Sequence, residues 1–87
     1  MDSKEKSKEQ LKAELSEKQK QQLITLGQKL KELRIKSGYS SYETFAFDKG
    51  INRANYGRYE KGENMRVSTL IQILDAHGLT LEDLFKK

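Results

Sequence analysis

The chain of 87 residues contains no cysteine, no proline and no tryptophan. Without cysteine, neither a disulfide nor a thiolate metal site can stabilise the fold. Without proline, helices have to end at glycines and polar caps. No apolar run is long enough to cross a bilayer, and the polar start "MDSKEKSKEQ" does not resemble a secretory signal. We therefore expect a small cytoplasmic protein with one domain and no membrane partner.

The sequence also has little that could support catalysis. His77 is the only histidine, and no nucleophile–base pair, phosphate-binding glycine loop or metal-ligand cluster accompanies it. We expect no cofactor, no metal and no enzymatic activity. His77 is expected to pack beside the end of a helix.

The charge is unevenly distributed along the chain. Seventeen basic and thirteen acidic residues give a net charge of +4. Residues 1–22 contribute +1 and residues 67–87 contribute −1, whereas nine basic and five acidic residues give +4 between residues 23 and 66. A basic middle section favours a polyanionic partner. The alternative is a charged surface that serves solubility only.

Helical spacing recurs, and evidence for strands is poor. Leucines at positions 23, 26, 30 and 33 follow one face of a helix, and Gly38 ends it. We predict an all-α fold of five helices with short connections. The first covers about residues 22–37, the second begins after Ser40 and ends at Gly50, the third precedes Gly62, and the last two cover about 67–76 and 81–85.

Residues 1–22 form a charged N-terminal extension to a domain at residues 23–87. The segment "SEKQKQQ" offers no apolar residue, which interrupts the seam that a coiled coil requires. We predict a frayed or partly helical extension. A dimerising helix is the less favoured alternative.

Polar residues at the expected helix starts predict specific caps. Ser40 and Glu43 fit a capping box for the second helix, and Asn52 fits the cap of the third. Ile51 and Tyr56 have the spacing of a hydrophobic staple. Thr80 is expected to cap the fifth helix, with Asp83 at its capping-box position.

The inward faces of the last three helices are predicted from spacing. In the third helix, Tyr56 and Tyr59 are expected to face the core. Arg53, Ala54, Gly57, Arg58 and Lys61 are expected to lie toward the other side. In the fourth helix, the inward residues are expected to be Val67, Leu70, Ile71 and Leu74.

The second and third helices, joined at Gly50, have the pattern of a helix-turn-helix. The segments "LGQKLKELRIKSG", "FAFDKGINRANYGRYEKG" and "STLIQILDAHGLTLEDLF" together resemble the lambda-repressor-like, Cro-type (XRE) family of DNA-binding domains. The resemblance covers about residues 23–86. It implies a compact five-helix domain that binds double-stranded DNA through its third helix.

A helix fits the major groove, and its N-terminal residues can reach base edges. Arginine can donate two hydrogen bonds to guanine, and alanine can pack on a thymine methyl group. Basic and amide side chains after the helix suit phosphates. The alternative is that these residues only solvate an exposed face. The candidate DNA-binding residues are Ser41, Tyr42, Asn52, Arg53, Ala54, Asn55, Arg58, Lys61, Asn64 and Arg66.

An acid in the last turn of the third helix opposes the helix dipole. The resemblance implies that Glu60 forms a partly buried ion pair with Arg34 of the first helix. We predict that this pair holds the recognition helix against the first helix. The alternative is a loose surface pair with Lys61 or Lys36, which would stabilise the fold little.

Two features depart from the family pattern or lack an account. The family places a glutamine at the start of the second helix, where it contacts a phosphate and supports the recognition helix. Here Ser41 or Tyr42 takes that position, and Tyr42 alternatively belongs to the core. Gly57 lies inside a helix, where glycine is unfavourable. Close approach of DNA or of another helix would each explain it; alternatively, the position simply tolerates glycine.

The sequence supports two functions. The first is a sequence-specific transcriptional regulator, most simply a repressor, that acts as a homodimer on two half-sites. Leu81, Leu84 and Phe85 of the fifth helix offer one dimer surface, and the N-terminal extension offers another. Alternatively, these apolar residues close the core of the monomer. The second function is an antitoxin-like interaction module whose extension binds a partner protein.

Overall fold

A computed structural model describes residues 15–86. Within this range the protein is entirely helical, with five α-helices in sequence: α1 Glu17–Lys36, α2 Tyr42–Lys49, α3 Arg53–Glu60, α4 Val67–Ala76 and α5 Leu81–Phe85. None of these helices has both the length and the apolar character that a membrane span requires. The all-α prediction with five helices is therefore confirmed for the part of the chain that the structure describes.

Helix α1 begins five residues before the predicted start. Ser16 caps it, because its hydroxyl accepts a hydrogen bond from the Gln19 amide at 3.1 Å. The Gln19 side chain accepts one from the Ser16 amide in return, at 2.9 Å. This reciprocal capping box stabilises a first turn that contains no apolar residue. The expected boundary between residues 22 and 23 therefore lies inside a continuous helix, while residues 1–14 lie outside the described range.

Every described helix contributes to a single apolar core. Helix α2 supplies Phe45 and Ala46, and the Phe45 ring contacts Tyr56 of α3 with ring centroids 5.1 Å apart. Because α2 and α3 share this core, their relative orientation depends on its packing. The buried apolar residues are Leu30, Phe45, Ala46, Ile51, Tyr56, Leu70, Ile73, Leu74 and Leu84.

The turn between α2 and α3 positions the third helix. Gly50 adopts φ +71°, a left-handed conformation that favours glycine. The Ile51 amide then donates to the Ala46 carbonyl at 2.8 Å. Asn52 caps α3 as predicted, accepting a hydrogen bond from the Asn55 amide at 3.0 Å. The result is a short, defined turn between two helices of eight residues each.

Helix α2 has a different cap from the one predicted. Ser41, not Ser40, is the N-cap, and its hydroxyl accepts hydrogen bonds from the amides of Glu43 and Thr44. The cap shifts by one residue because the connection from α1 extends through Tyr39 and Ser40. The Tyr39 hydroxyl donates to Asp48 at 2.9 Å, which ties this connection to α2.

The inward face of α4 is partly corrected by the structure. Leu70 and Leu74 are buried as predicted, but Val67 and Ile71 are 63% and 46% exposed. Ile73 is fully buried instead. Helix α5 follows the prediction, with a capping box between Thr80 and Asp83. Two exposed apolar side chains on α4 therefore need an explanation other than the monomer core.

His77 follows α4 and packs on the core, as expected. Its ring stacks on Phe45 with centroids 4.9 Å apart. Its Nδ1 atom lies 3.2 Å from the Ser37 hydroxyl oxygen, whose own proton points to the Leu33 carbonyl at 2.9 Å. With the hydroxyl proton directed to Leu33, Nδ1 is placed to donate to the Ser37 oxygen. Burial lowers the pKa of His77, and the charge of Lys49 lowers it further.

Candidate nucleic-acid interface

The outer face of α3 is polar, basic and open to solvent. Arg53 and Ala54 occupy the first two positions of the helix, and Arg58 lies further along it. Between residues 15 and 86, neither Arg53 nor Arg58 forms an ion pair. The side chains that the structure brings together on this exposed surface are Asn52, Arg53, Ala54, Asn55, Arg58 and Lys61.

Arg34 and Glu60 connect α1 to the last turn of α3. Arg34 Nε donates to Glu60 Oε2 at 2.8 Å, and Nη2 donates to Oε1 at 3.1 Å. The third nitrogen, Nη1, donates to the Tyr39 carbonyl at 2.8 Å. Both charged side chains are nearly buried, with 5% and 8% exposure. The pair is thus bidentate, and it has the partners that the resemblance implies.

Tyr56 lies beside this ion pair, on the inner face of α3. Burial raises the pKa of its phenol, and the adjacent Glu60 carboxylate raises it further. Glu60 also raises the pKa of Arg34, mainly through their hydrogen bond. Arg34 therefore stays charged and Tyr56 stays neutral at neutral pH.

A close backbone contact accompanies the ion pair. Gly27 of α1 is buried, and a β-carbon built on it would lie 2.5 Å from the Tyr59 carbonyl oxygen and 2.6 Å from that of Glu60. Such distances exclude any side chain at position 27. The carboxyl end of α3 therefore rests directly on α1, and the sequence analysis missed this role of Gly27. A glycine inside a long helical pattern was the available signal.

Gly57 was predicted to lie on the outer face of α3, but it is buried against Tyr42. A β-carbon at position 57 would lie 2.7 Å from Cε1 and 2.9 Å from Cζ of Tyr42. Of the three explanations left open for this glycine, the structure shows close approach of another helix, since Tyr42 is the first residue of α2.

The segment between α3 and α4 extends the basic surface. Lys61, Asn64 and Arg66 are all exposed. Arg66 is the N-cap residue of α4 but makes no side-chain cap, in contrast to the N-cap residues of the other four described helices. The first backbone amides of α4 therefore have no side-chain cap, and they follow directly after the Arg66 guanidinium in the chain.

Comparison with known proteins agrees with this architecture. A sequence profile described as the Cro/C1-type HTH DNA-binding domain matches residues 29–86. Among solved structures, the chain is similar to the restriction-modification controller protein C.AhdI from Aeromonas hydrophila, with 34% identity and a TM-score of 0.65. That alignment covers 74% of this chain and 97% of the controller protein. No curated protein sequence matches. The chain therefore belongs to the Cro/C1-type helix-turn-helix family and is a DNA-binding protein of transcription regulation.

Proposed function

We propose that the protein is a sequence-specific transcriptional repressor that places α3 in the major groove of its operator. The observation that carries this proposal is the exposed first turn of α3, whose opposite face is fixed by the Arg34–Glu60 pair. A reading helix needs free side chains on one face and a rigid attachment on the other. Helix α3 has both.

Base recognition is assigned to the exposed residues of α3. Arg53 donates two hydrogen bonds to a guanine, and Ala54 packs on a thymine methyl group. The side-chain amide of Asn55 suits the paired donor and acceptor of adenine. Only the backbone amide of Asn55 is used by the Asn52 cap. Arg58, five residues after Arg53, reaches a further base or a phosphate.

Phosphate contacts are assigned to the two ends of the helix-turn-helix. Lys61, Asn64 and Arg66 follow α3, and the first amides of α4 add partial positive charge next to Arg66. At the other end, the Ser41 hydroxyl accepts two amide hydrogen bonds and donates to Glu43 Oε1 at 3.4 Å. Its contact with a phosphate oxygen therefore requires that long bond to Glu43 to be exchanged. These contacts position the helix without reading sequence.

Dimerisation is proposed through α4 and α5. Phe85 of α5 is 76% exposed, and Val67 and Ile71 of α4 are exposed as well. An open apolar groove adjoins Phe85, whereas Leu84 is buried and closes the monomer core. A projecting ring and a groove on one face suit an isologous contact between two copies. The groove is lined by Leu15, Gln19, Gln22, Leu23, Leu26, Asn64, Leu70, Leu84 and Phe85.

The similarity to a restriction-modification controller protein suggests a specific role for the repressor. With 34% identity over 97% of that protein, control of restriction-modification genes is one candidate for this chain as well. The comparisons give no support to the antitoxin-like alternative. Most of the extension on which that alternative depends lies outside the described residues.

Selection of bound duplexes from a random DNA pool tests the proposal. The full-length chain should enrich one motif, and a homodimer predicts a palindrome with half-sites about one helical turn apart. A single, non-repeated half-site would contradict dimeric binding. If no motif were enriched while binding remained, sequence-specific recognition would be wrong.

A further inference from the structure

We infer that Tyr42 is a positioning residue, which sets the angle at which α3 meets DNA, and that residue 57 is glycine because the Tyr42 ring occupies the space of its side chain. This inference rests on the proposed function. It adds a contact from α2 that determines how well α3 reads sequence.

A side chain at position 57 would require either the Tyr42 ring or α3 to move. A β-carbon there would lie 2.7 Å, 2.9 Å and 3.2 Å from Cε1, Cζ and Oη of Tyr42. Glycine is a poor helix former, and α3 has only eight residues over which to compensate. A glycine at this position is understandable if the position of the Tyr42 ring matters more than helix propensity.

Tyr42 is itself held firmly by α2. The preceding residue, Ser41, caps the helix through the amides of Glu43 and Thr44. Phe45, three residues after Tyr42, is fully buried in the core. The ring of Tyr42 therefore stands on a fixed base, with its edge against the backbone of α3.

The other attachments of α3 lie at its start, in its middle and at its end. Before the helix, the Ile51 amide donates to the Ala46 carbonyl. Within it, Tyr56 is fully buried against Phe45. The Arg34–Glu60 pair and the Gly27 contact act on the last turn. The Tyr42 contact adds an attachment to the first residue of α2. Gly57 lies four residues after Arg53 and next to Arg58, so the Tyr42 contact acts beneath the proposed reading residues. Displacing that contact would tilt their side chains relative to the groove.

The competing role for Tyr42 is a direct phosphate contact through its hydroxyl. The variants Tyr42→Phe and Tyr42→Ala separate the two roles. A hydroxyl contact is lost in both variants, whereas a positioning ring is lost only in Tyr42→Ala. Phe47→Ala is the matched control, because Phe47 lies on the same helix but is 75% exposed.

The first experiment measures affinity for the selected operator and for a scrambled duplex over a salt series. For Tyr42→Ala we expect about a tenfold loss on the operator and little change on scrambled DNA, with an unchanged salt slope. Tyr42→Phe and Phe47→Ala should resemble the wild type. An equal loss in Tyr42→Phe, with a reduced salt slope, would show a phosphate contact instead and would overturn the inference.

The second experiment needs no DNA, so it stands even if the proposed function fails. Residual dipolar couplings of the α3 amides report helix orientation in the free protein. Gly57→Ala should change the orientation of α3 relative to α1. In a Tyr42→Ala background the same substitution should leave that orientation unchanged, because the added methyl group has room. If the Tyr42 ring moved aside in Gly57→Ala, as nuclear Overhauser contacts would show, while α3 kept its orientation, the inference would be wrong.

The two experiments separate the possible failures. If the wild type enriched no operator, the proposed function would fail, yet the coupling between positions 42 and 57 would still be measured. If Gly57→Ala had the same effect with and without the Tyr42 ring, the two residues would be independent. That result would overturn the inference whatever the protein binds.

Discussion

Arg34 holds both carboxylate oxygens of Glu60, at 2.8 Å and 3.1 Å, across the contact between α1 and α3. Its remaining nitrogen donates to the Tyr39 carbonyl, so one side chain joins α1, the start of the helix-turn-helix and the end of the recognition helix. The pair also explains an acid where the helix dipole and the DNA phosphates both disfavour one.

Arg34→Ala should strongly destabilise the fold, because it leaves Glu60 charged and buried without a partner. Removing one member of a buried pair typically costs about 3–5 kcal/mol of unfolding free energy. Urea unfolding followed by circular dichroism measures the loss. The double variant Arg34→Met with Glu60→Met should lose less than Arg34→Ala, since no charge remains buried. An unchanged urea midpoint in Arg34→Ala would rule out a stabilising pair.

Lys61→Ala should weaken binding to the operator and to scrambled DNA by a similar factor. A residue that contacts only phosphate carries no sequence information, and its loss should reduce the slope of log affinity against log salt by about 1. Fluorescence anisotropy over a salt series measures both quantities. Glu63→Ala, an exposed change in the same loop, controls for local disturbance. A loss confined to the operator would instead assign Lys61 to base recognition.

Lowering the pH should destabilise the protein through His77. Burial lowers the pKa of His77 in the folded protein, so the unfolded chain binds a proton at higher pH than the folded one. The stability that the neutral form of His77 contributes to the fold is fully present above the unfolded pKa of about 6.5, and it is lost as the pH falls below that value. Urea midpoints at about pH 7.5 and pH 5.5 should differ for the wild type, since no other side chain ordinarily titrates there.

His77→Phe keeps an aromatic ring against Phe45 but removes the titration. Its urea midpoint should be nearly the same at both pH values. An equal loss in the variant and the wild type would assign the pH dependence to other groups.

Phe85→Asp should shift the protein toward monomer without unfolding it, because the ring is exposed and contributes little to the monomer core. Sedimentation velocity over a concentration series measures the association. Phe47→Asp is a matched control, since that ring is equally exposed but lies on α2. If both variants behaved alike, or if neither changed association, the proposed α4–α5 interface would be wrong.

The sequence predicted most of the fold because its helices have clear apolar spacing and polar caps. Asn52 and Thr80 cap their helices as expected. The start of α1 was misplaced because "SEKQKQQ" has no apolar residue, and the Ser16–Gln19 capping box stabilises it instead. Val67 and Ile71 were assigned inward because the spacing of apolar residues does not show which of them pack on the core; the structure leaves both exposed.

The contacts that orient α3 were less accessible to sequence analysis. Gly27 and Gly57 each allow another helix, distant in the sequence, to approach closely. A glycine within a helix signals close approach, but it does not identify the partner. The Arg34–Glu60 pair was accessible because an acid in the last turn of α3 requires a counter-charge, and the family resemblance indicated which residue provides it.

Arg53→Ala is the sharpest test of whether the exposed face of α3 reads DNA sequence. The measurement is the ratio of affinities for the operator and for a duplex changed at one guanine, with wild type and variant compared at the same salt concentration. We predict that the variant loses about 1–3 kcal/mol of discrimination at that base pair and keeps its discrimination elsewhere. A uniform loss on all sequences, with discrimination intact, would contradict base recognition by α3.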